Sequence, residues 1–267
     1  LVRYRMGVTN STAYQPLKEA TELFEGMTSP DITSEYLCNY YLGEIHNRNN
    51  NLLLSNKYYF KSLQIAERLN NTDYLFYVNR ALFWNYVKLD NLNDAKKYLD
   101  ILNNLNGLNS NQLSERHNDN AQYYYSTGNY FKSLEFDLKL YKKSTNKKDS
   151  INLLSTAYRL VDDYEKINKL DSALQYALET IRYIKDTTKT YNYLYYLRVA
   201  EISEQTQDFK TSMKYFKQAY HLYNNVGKRS LDTQILELEK KYDKSEAENN
   251  ALKFKNRTIL FGAISLV

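Results

Sequence analysis

Residues able to carry chemistry are present in this chain but are not gathered. The three histidines, His46, His117 and His221, lie far apart in the sequence with no metal-ligand spacing between them. The single cysteine, Cys38, excludes an internal disulfide framework and any multi-cysteine zinc site. The sequence holds no Gly-rich phosphate loop, no nucleophile elbow and no cluster of metal ligands. Carboxylates are plentiful, Asp162, Asp163, Glu237 and Glu239 among them, but at helix-surface spacing their simplest use is solvation. Lys142-Lys143 and Lys147-Lys148 read as a solvated helix end. The 36 basic and 31 acidic residues are mixed along the chain, and a net charge of +5 is too mild for a nucleic-acid partner in this segment. These residues point to binding rather than catalysis: no enzyme activity, no metal and no cofactor are expected.

The elements that must position any such site are helices. Only 7 Gly and 2 Pro occur in 267 residues, and those are the residues that punctuate sheets and long loops. The 28 tyrosines suit narrow helix–helix seams, where a ring is buried and its hydroxyl reaches the surface. A small residue recurs as Ser55, Ala95, Ser133, Ala173 and Ser212, with gaps of 40, 38, 40 and 39. Three positions before each stands a bulky apolar residue: Leu52, Leu92, Tyr130, Leu170 and Phe209. Just ahead of those come Asn50-Asn51, Asp90-Asn91, Gly128-Asn129, Asn168-Lys169 and Gln207-Asp208, turn formers or polar residues. A period in this range predicts a stacked repeat. Around Ser55, Tyr59 and Ser62 continue one helix face, and Leu42-Gly43 belongs to a preceding helix over about Ile32 to Asn47. The spacing predicts five antiparallel helical hairpins, with small residues allowing close approach.

The pattern Leu42, Gly43, Ser55, Tyr59, Ser62, and again Ala200, Ser212, Phe216, Ala219, resembles the tetratricopeptide (TPR) repeat over about Ile32 to Asn225. The resemblance implies an all-α, right-handed α-solenoid of TPR-like hairpins with a long C-terminal helix. There are departures: the period exceeds the usual ~34 residues, Phe83 and Val161 stand where the family's glycine usually sits, and Asp137 replaces an aromatic. Ala13, Leu17, Ala20 and Phe24 look like the second helix of a further unit, although Pro16 interrupts the run. In such stacks the first helices line a concave groove, and the positions carried over to it are Tyr40 and Glu44, Arg80 and Trp84, Asn118 and Gln122, Tyr158 and Asp162, then Leu197 and Glu201. That lining implies a protein or peptide ligand. It departs from the carboxylate-clamp type, since Glu44, Asp162 and Glu201 occupy the face.

The expected organisation is a partial repeat over 1–31, a solenoid over 32–228, a capping or stalk helix over 229–257 and the start of a transmembrane helix over 258–267. Leu231, Ile235, Leu238, Tyr242, Ser245, Asn249 and Leu252 alternate at 4 and 3, a heptad seam that turns polar in its second half. It reads as a cap on the last repeat, as a homodimeric stalk, or as both. Ile259 to Val267 is an uncharged apolar run behind Lys253, Lys255 and Arg257, which predicts a membrane anchor. Together these features resemble the TPR sensor region of bacterial membrane-anchored signalling proteins, a histidine kinase or a helix-turn-helix regulator. That resemblance implies a periplasmic TPR region, whereas the basic residues before the run favour a cytoplasmic one. A TPR scaffold that assembles proteins without signalling is the alternative.

Overall fold

The polar pairs of the ladder build one turn five times over. In the computed structural model, which describes residues 10–28, 31–147, 150–184 and 192–223, the first residue of each pair is left-handed: Asn50 (φ 57°), Asp90 (55°), Gly128 (76°), Asn168 (59°) and Gln207 (61°). The amide of the second residue reaches back five residues, Asn51 to the His46 carbonyl at 2.8 Å, Asn91 to Tyr86 at 3.0 Å, Asn129 to Tyr124 at 2.8 Å, Lys169 to Tyr164 at 2.8 Å and Asp208 to Ser203 at 2.9 Å. This bond satisfies a carbonyl that a helix end leaves orphaned, and it requires a residue tolerant of positive φ at the first position. The second residue then caps the next helix. Asn51, Asn91, Asn129 and Asp208 accept from the amides of Leu54, Asp94, Lys132 and Thr211 at 3.3, 3.2, 3.3 and 3.1 Å. Stop and start are thus written in two adjacent residues.

The described residues form eleven α-helices and no strand: α1 (Asn10–Gly26), α2 (Ile32–Arg48), α3 (Leu52–Leu69), α4 (Thr72–Lys88), α5 (Leu92–Asn104), α6 (Ser110–Ser126), α7 (Tyr130–Lys147), α8 (Ser150–Lys166), α9 (Leu170–Tyr183), α10 (Tyr193–Gln205) and α11 (209–223). They fall into two units, Leu1–Lys169 with α1–α8 and Leu170–Val267 with α9–α11. In the first unit each helix packs on the next in the chain, and α4 also touches α6. In the second, α9 packs on α10. The fold is an all-α stack of helical hairpins, as the spacing predicts. The capping or stalk segment 229–257 and the apolar run 258–267 lie outside the described residues. No helix among the described residues is long and apolar enough to cross a membrane.

The core of the first unit lies in the seams between hairpin helices. Ala13 and Leu17 of α1 pack against Cys38, Leu42 and Ile45 of α2, with Pro16 inside α1. Tyr36 and Tyr59 join Val78 and Leu82 of α4, and Phe83 joins Leu99 and Leu102 of α5. Gly43 is dictated by Tyr59: a Cβ there would stand 2.5 Å from the Tyr59 ring atoms Cδ1 and Cε1. One repeat later the large side chain has changed sides, with Phe83 at the glycine position and Leu99 at the tyrosine position, both buried. Phe83 is therefore no defect in the repeat. One seam is filled by a large ring beside a glycine and the next by two large side chains, so packing is settled seam by seam and not by a fixed residue at each place.

Candidate functional site

The first helices α2, α4, α6 and α8 place seven of the expected groove residues against three adjoining cavities. Tyr40 and Glu44 of α2 and Arg80 and Trp84 of α4 line one of about 340 Å³, together with Asn47, Tyr77 and Lys88. Arg80 and Asn118 line a second of about 510 Å³, closed by Asn111, Ser114 and Glu115 of α6, Lys143 of α7, and Asn152, Ser155, Thr156 and Arg159 of α8. Gln122 and Asp162 line a third of about 100 Å³ with Tyr125, Ser133, Asp137 and, again, Arg159. Arg80 and Arg159 are therefore shared walls. Tyr158 is half-buried on α8 and lines none of the three. Glu201 lies on α10 of the second unit, exposed, with Arg198 Nη1 3.3 Å from its Oε2, and Leu197 is half-buried on the same helix.

Each wall arginine is braced from behind by a buried aspartate. Arg80 Nε donates to both oxygens of Asp119, at 2.8 and 3.1 Å, and Trp84 Nε1 donates to the same carboxylate at 2.8 Å. Asp119 has no solvent exposure. Burial pushes its carboxyl up to about 6, against the downward pull of Arg80 and Trp84. Arg159 holds Asp137 in the same way, with Nε 3.0 and 3.1 Å from its two oxygens, and its Nη1 donates to Asn118. A planar guanidinium fixed along one edge keeps its plane and presents its other edge in a set direction. Glu44 is fixed likewise by the Tyr59 hydroxyl, which donates to its Oε1 at 2.5 Å. The arrangement orients polar groups along the cavities. Among the described residues no group of histidine, cysteine, aspartate or glutamate side chains is placed to hold a metal ion.

Several functional side chains depart from the sequence reading. Asp163 is not a solvating carboxylate: it has no exposure, and its oxygens lack a hydrogen-bond partner in good geometry. Burial, and then the charge of neighbouring Asp137, push it up to about 7. Lys143 is not a solvated helix end either, since its ammonium turns back to the Ser110 carbonyl and the Ser114 hydroxyl beside the cavity of about 510 Å³. The local sequence Lys142-Lys143 gives no hint of this, because the partners lie 33 and 29 residues away. Arg80 and Asp119 had a signal, being opposite charges one repeat apart. Two histidines pack on aromatic rings: buried His46 stacks on Tyr58 at 5.3 Å, and half-buried His117 lies against Phe136 at 5.8 Å.

No protein-family profile matches the sequence, and no curated protein matches it. Solved structures do resemble it. BtubC (BKLC) of P. vanneervenii superposes with a TM-score of 0.64 at 15% identity, over 82% of this chain and 91% of that one. The nearly identical TPR-like repeats of a Podosopora anserina putative kinesin light chain give 0.61 at 11% identity, over 71% and 95%. A STAND signal-transduction ATPase of Pyrococcus horikoshii, described as carrying a tetratricopeptide repeat sensor, gives 0.53 at 15% identity over 87% of this chain, which spans 38% of that longer one. The fold is thus that of TPR-repeat proteins, and at these identities the likeness concerns the fold alone.

Proposed function

We propose that the α2/α4/α6/α8 face of the first unit binds an extended segment of another protein, making this chain a non-catalytic interaction scaffold. The observation that carries this reading is the row of three cavities joined through Arg80 and Arg159. Its α2/α4 end is aromatic, with Tyr40, Tyr77 and Trp84, and suits an apolar side chain. Its α6/α8 part is lined by Asn111, Ser114, Asn118, Asn152, Ser155 and Thr156. Amides and hydroxyls donate and accept alike, which matches the alternating N–H and C=O groups of an extended main chain. The test begins with a phage-displayed peptide library selected on the full chain. Trp84→Ala and Asn118→Ala are expected to weaken the selected peptides at least about tenfold, the size of a modest interface anchor, and Leu53→Ala, exposed on α3, to leave them unchanged. Equal affinity for all three variants sinks the reading.

The finer reading makes this scaffold the sensor of a membrane-anchored bacterial signal transducer, held outside the inner membrane and paired through its C-terminal helix. It rests on the apolar run Ile259 to Val267 behind Lys253, Lys255 and Arg257, and on the sensor role described for the P. horikoshii neighbour's repeats. Deleting Ile259–Val267 is expected to release the protein from the membrane fraction. A deletion variant that still sediments with membranes refutes the anchor.

A further inference from the structure

Three cations converge on a single turn of α6. Lys143 of α7 donates to the Ser114 hydroxyl, and Arg159 of α8 donates from Nη1 to Asn118 Oδ1. Arg80 of α4 brings its Nη1 to 3.6 Å from Glu115 Oε2. Ser114 and Asn118 stand one turn apart, about 6 Å along a helix axis. All three cations line one space, the cavity of about 510 Å³.

The wall of this cavity is one-sided in charge and in hydrogen bonding. Among the described residues Glu115 is its one acid, against three cations. Asp119 and Asp137 hold the guanidiniums from behind and line no part of it. Arg80 donates through Nε alone, and the Asn118 amide nitrogen donates to no described residue. Ser144 lines the same wall at 8% exposure, with a hydroxyl that has no described partner. Glu115 answers these donors poorly, since its Oε2 is buried and accepts no hydrogen bond.

We propose that this cavity seats a phosphoryl monoester, carried by a phosphorylated serine or threonine of the bound segment. The inference rests on the reading of the α2/α4/α6/α8 face as a segment-binding surface. A planar carboxylate takes a guanidinium along one edge, as Asp119 and Asp137 do here. Donors that arrive from α4, α6, α7 and α8 around one space suit the three terminal oxygens of a tetrahedral group. The excess of two cations over acids in the wall suits its charge of about −1.5 to −2. Glu115, with a side chain 37% exposed, swings outward as phosphoryl oxygens take its place beside Arg80. A free phosphate ester presents the same chemistry, and the test separates the two sources.

Peptide arrays that differ only in a central phosphoserine, serine or glutamate are probed with the full-length chain, and free O-phosphoserine is titrated by calorimetry. The best phosphoserine peptides are expected to bind about tenfold or more tighter than their serine and glutamate counterparts, the size of a charge-assisted hydrogen bond. Glu115→Gln should tighten the phosphorylated peptides about threefold, as removing a half-exposed like charge does. Lys143→Gln should loosen them about tenfold. Both variants should leave the serine peptides unchanged, whereas a variant that misfolds loosens every peptide alike. Serine peptides that bind as tightly as phosphoserine ones overturn the seat and leave the segment reading standing. Glutamate peptides that match phosphoserine overturn it in favour of a carboxylate. Binding of O-phosphoserine but of no peptide, weakened by Lys143→Gln, keeps the seat for a free ester and refutes the segment reading. Silence in every arm overturns both.

Discussion

Asp163 occupies a place that isoleucine fills in other repeats, Ile45 in the first and Ile202 in the last, both buried. A carboxyl there shares the α7/α8 seam with Asp137 and Ser133, and the Arg159 guanidinium acts on both acids. Burial pushes Asp163 up to about 7, the charge of Asp137 pushes the same way, and Ser133 and Arg159 pull down. The folded chain therefore keeps a proton that the unfolded chain, with an ordinary carboxyl near 3.8, gives up. The stability tied to that proton is full below pH 4 and is lost as the pH rises through 7. Asp163→Asn supplies an uncharged side chain of the same shape at every pH. The melting temperature of the parent relative to this variant is expected to fall by about 5 °C between pH 5 and pH 8, as a few kcal/mol implies for a chain of this size. Asp119 is present in both proteins and cancels from the difference. Circular dichroism melts across that range measure it, and a difference that stays flat with pH refutes the buried proton.

At the scale of elements, the sequence shows the hairpins because their punctuation is local. The left-handed residue and the cap stand side by side in Asn50-Asn51 or Gln207-Asp208, so a reader who finds one turn finds all five. Cross-repeat side-chain bonds leave a weaker but real trace. Tyr36 to Tyr74, Asn47 to Asn85, Gln112 to Asp73, Arg80 to Asp119 and Arg159 to Asn118 are separated by 38, 38, 39, 39 and 41 residues. Successive first helices lie side by side, so partners across them recur one period apart. Partners on a first helix and a neighbouring second helix have no such clock. Arg159 reaches Asp137 across 22 residues and Lys143 reaches Ser110 across 33, distances set by where two helix faces happen to meet. The period tells which residues are equivalent, but not which equivalent residues face inward. For that reason Asp162 and Asp163 look alike in the sequence, while one lines a cavity and the other is sealed in the seam.

A stack of hairpins has no single core, so its stability is a sum over neighbours rather than one cooperative quantity. The three apolar clusters span Ala13 to Tyr123, which places them in α1–α6. Helices α7 and α8 bury Asp137 and Asp163 alongside Leu134, Leu140, Leu153, Ala157, Leu160 and Val161, and in the second unit α11 presents Phe209, Met213, Phe216, Tyr220 and Tyr223 to solvent. Amide exchange should follow that ranking. The slowest exchange is expected in α3 and α4, whose cluster includes Tyr36, Tyr59, Val78 and Leu82 at 2% exposure or less. Intermediate protection is expected in α7 and α8 and the least in α11, with opening free energies spread over several kcal/mol. The seam carries a further signature. Raising the pH from 6 to 8 removes the proton held by Asp163, so protection in α7 and α8, corrected for intrinsic exchange, should drop while α3 and α4 hold theirs. Hydrogen–deuterium exchange followed peptide by peptide measures both effects. One shared opening energy for all the helices, with no difference between seams as the pH is raised, would show that the chain unfolds as a single unit and that the seams are not independent.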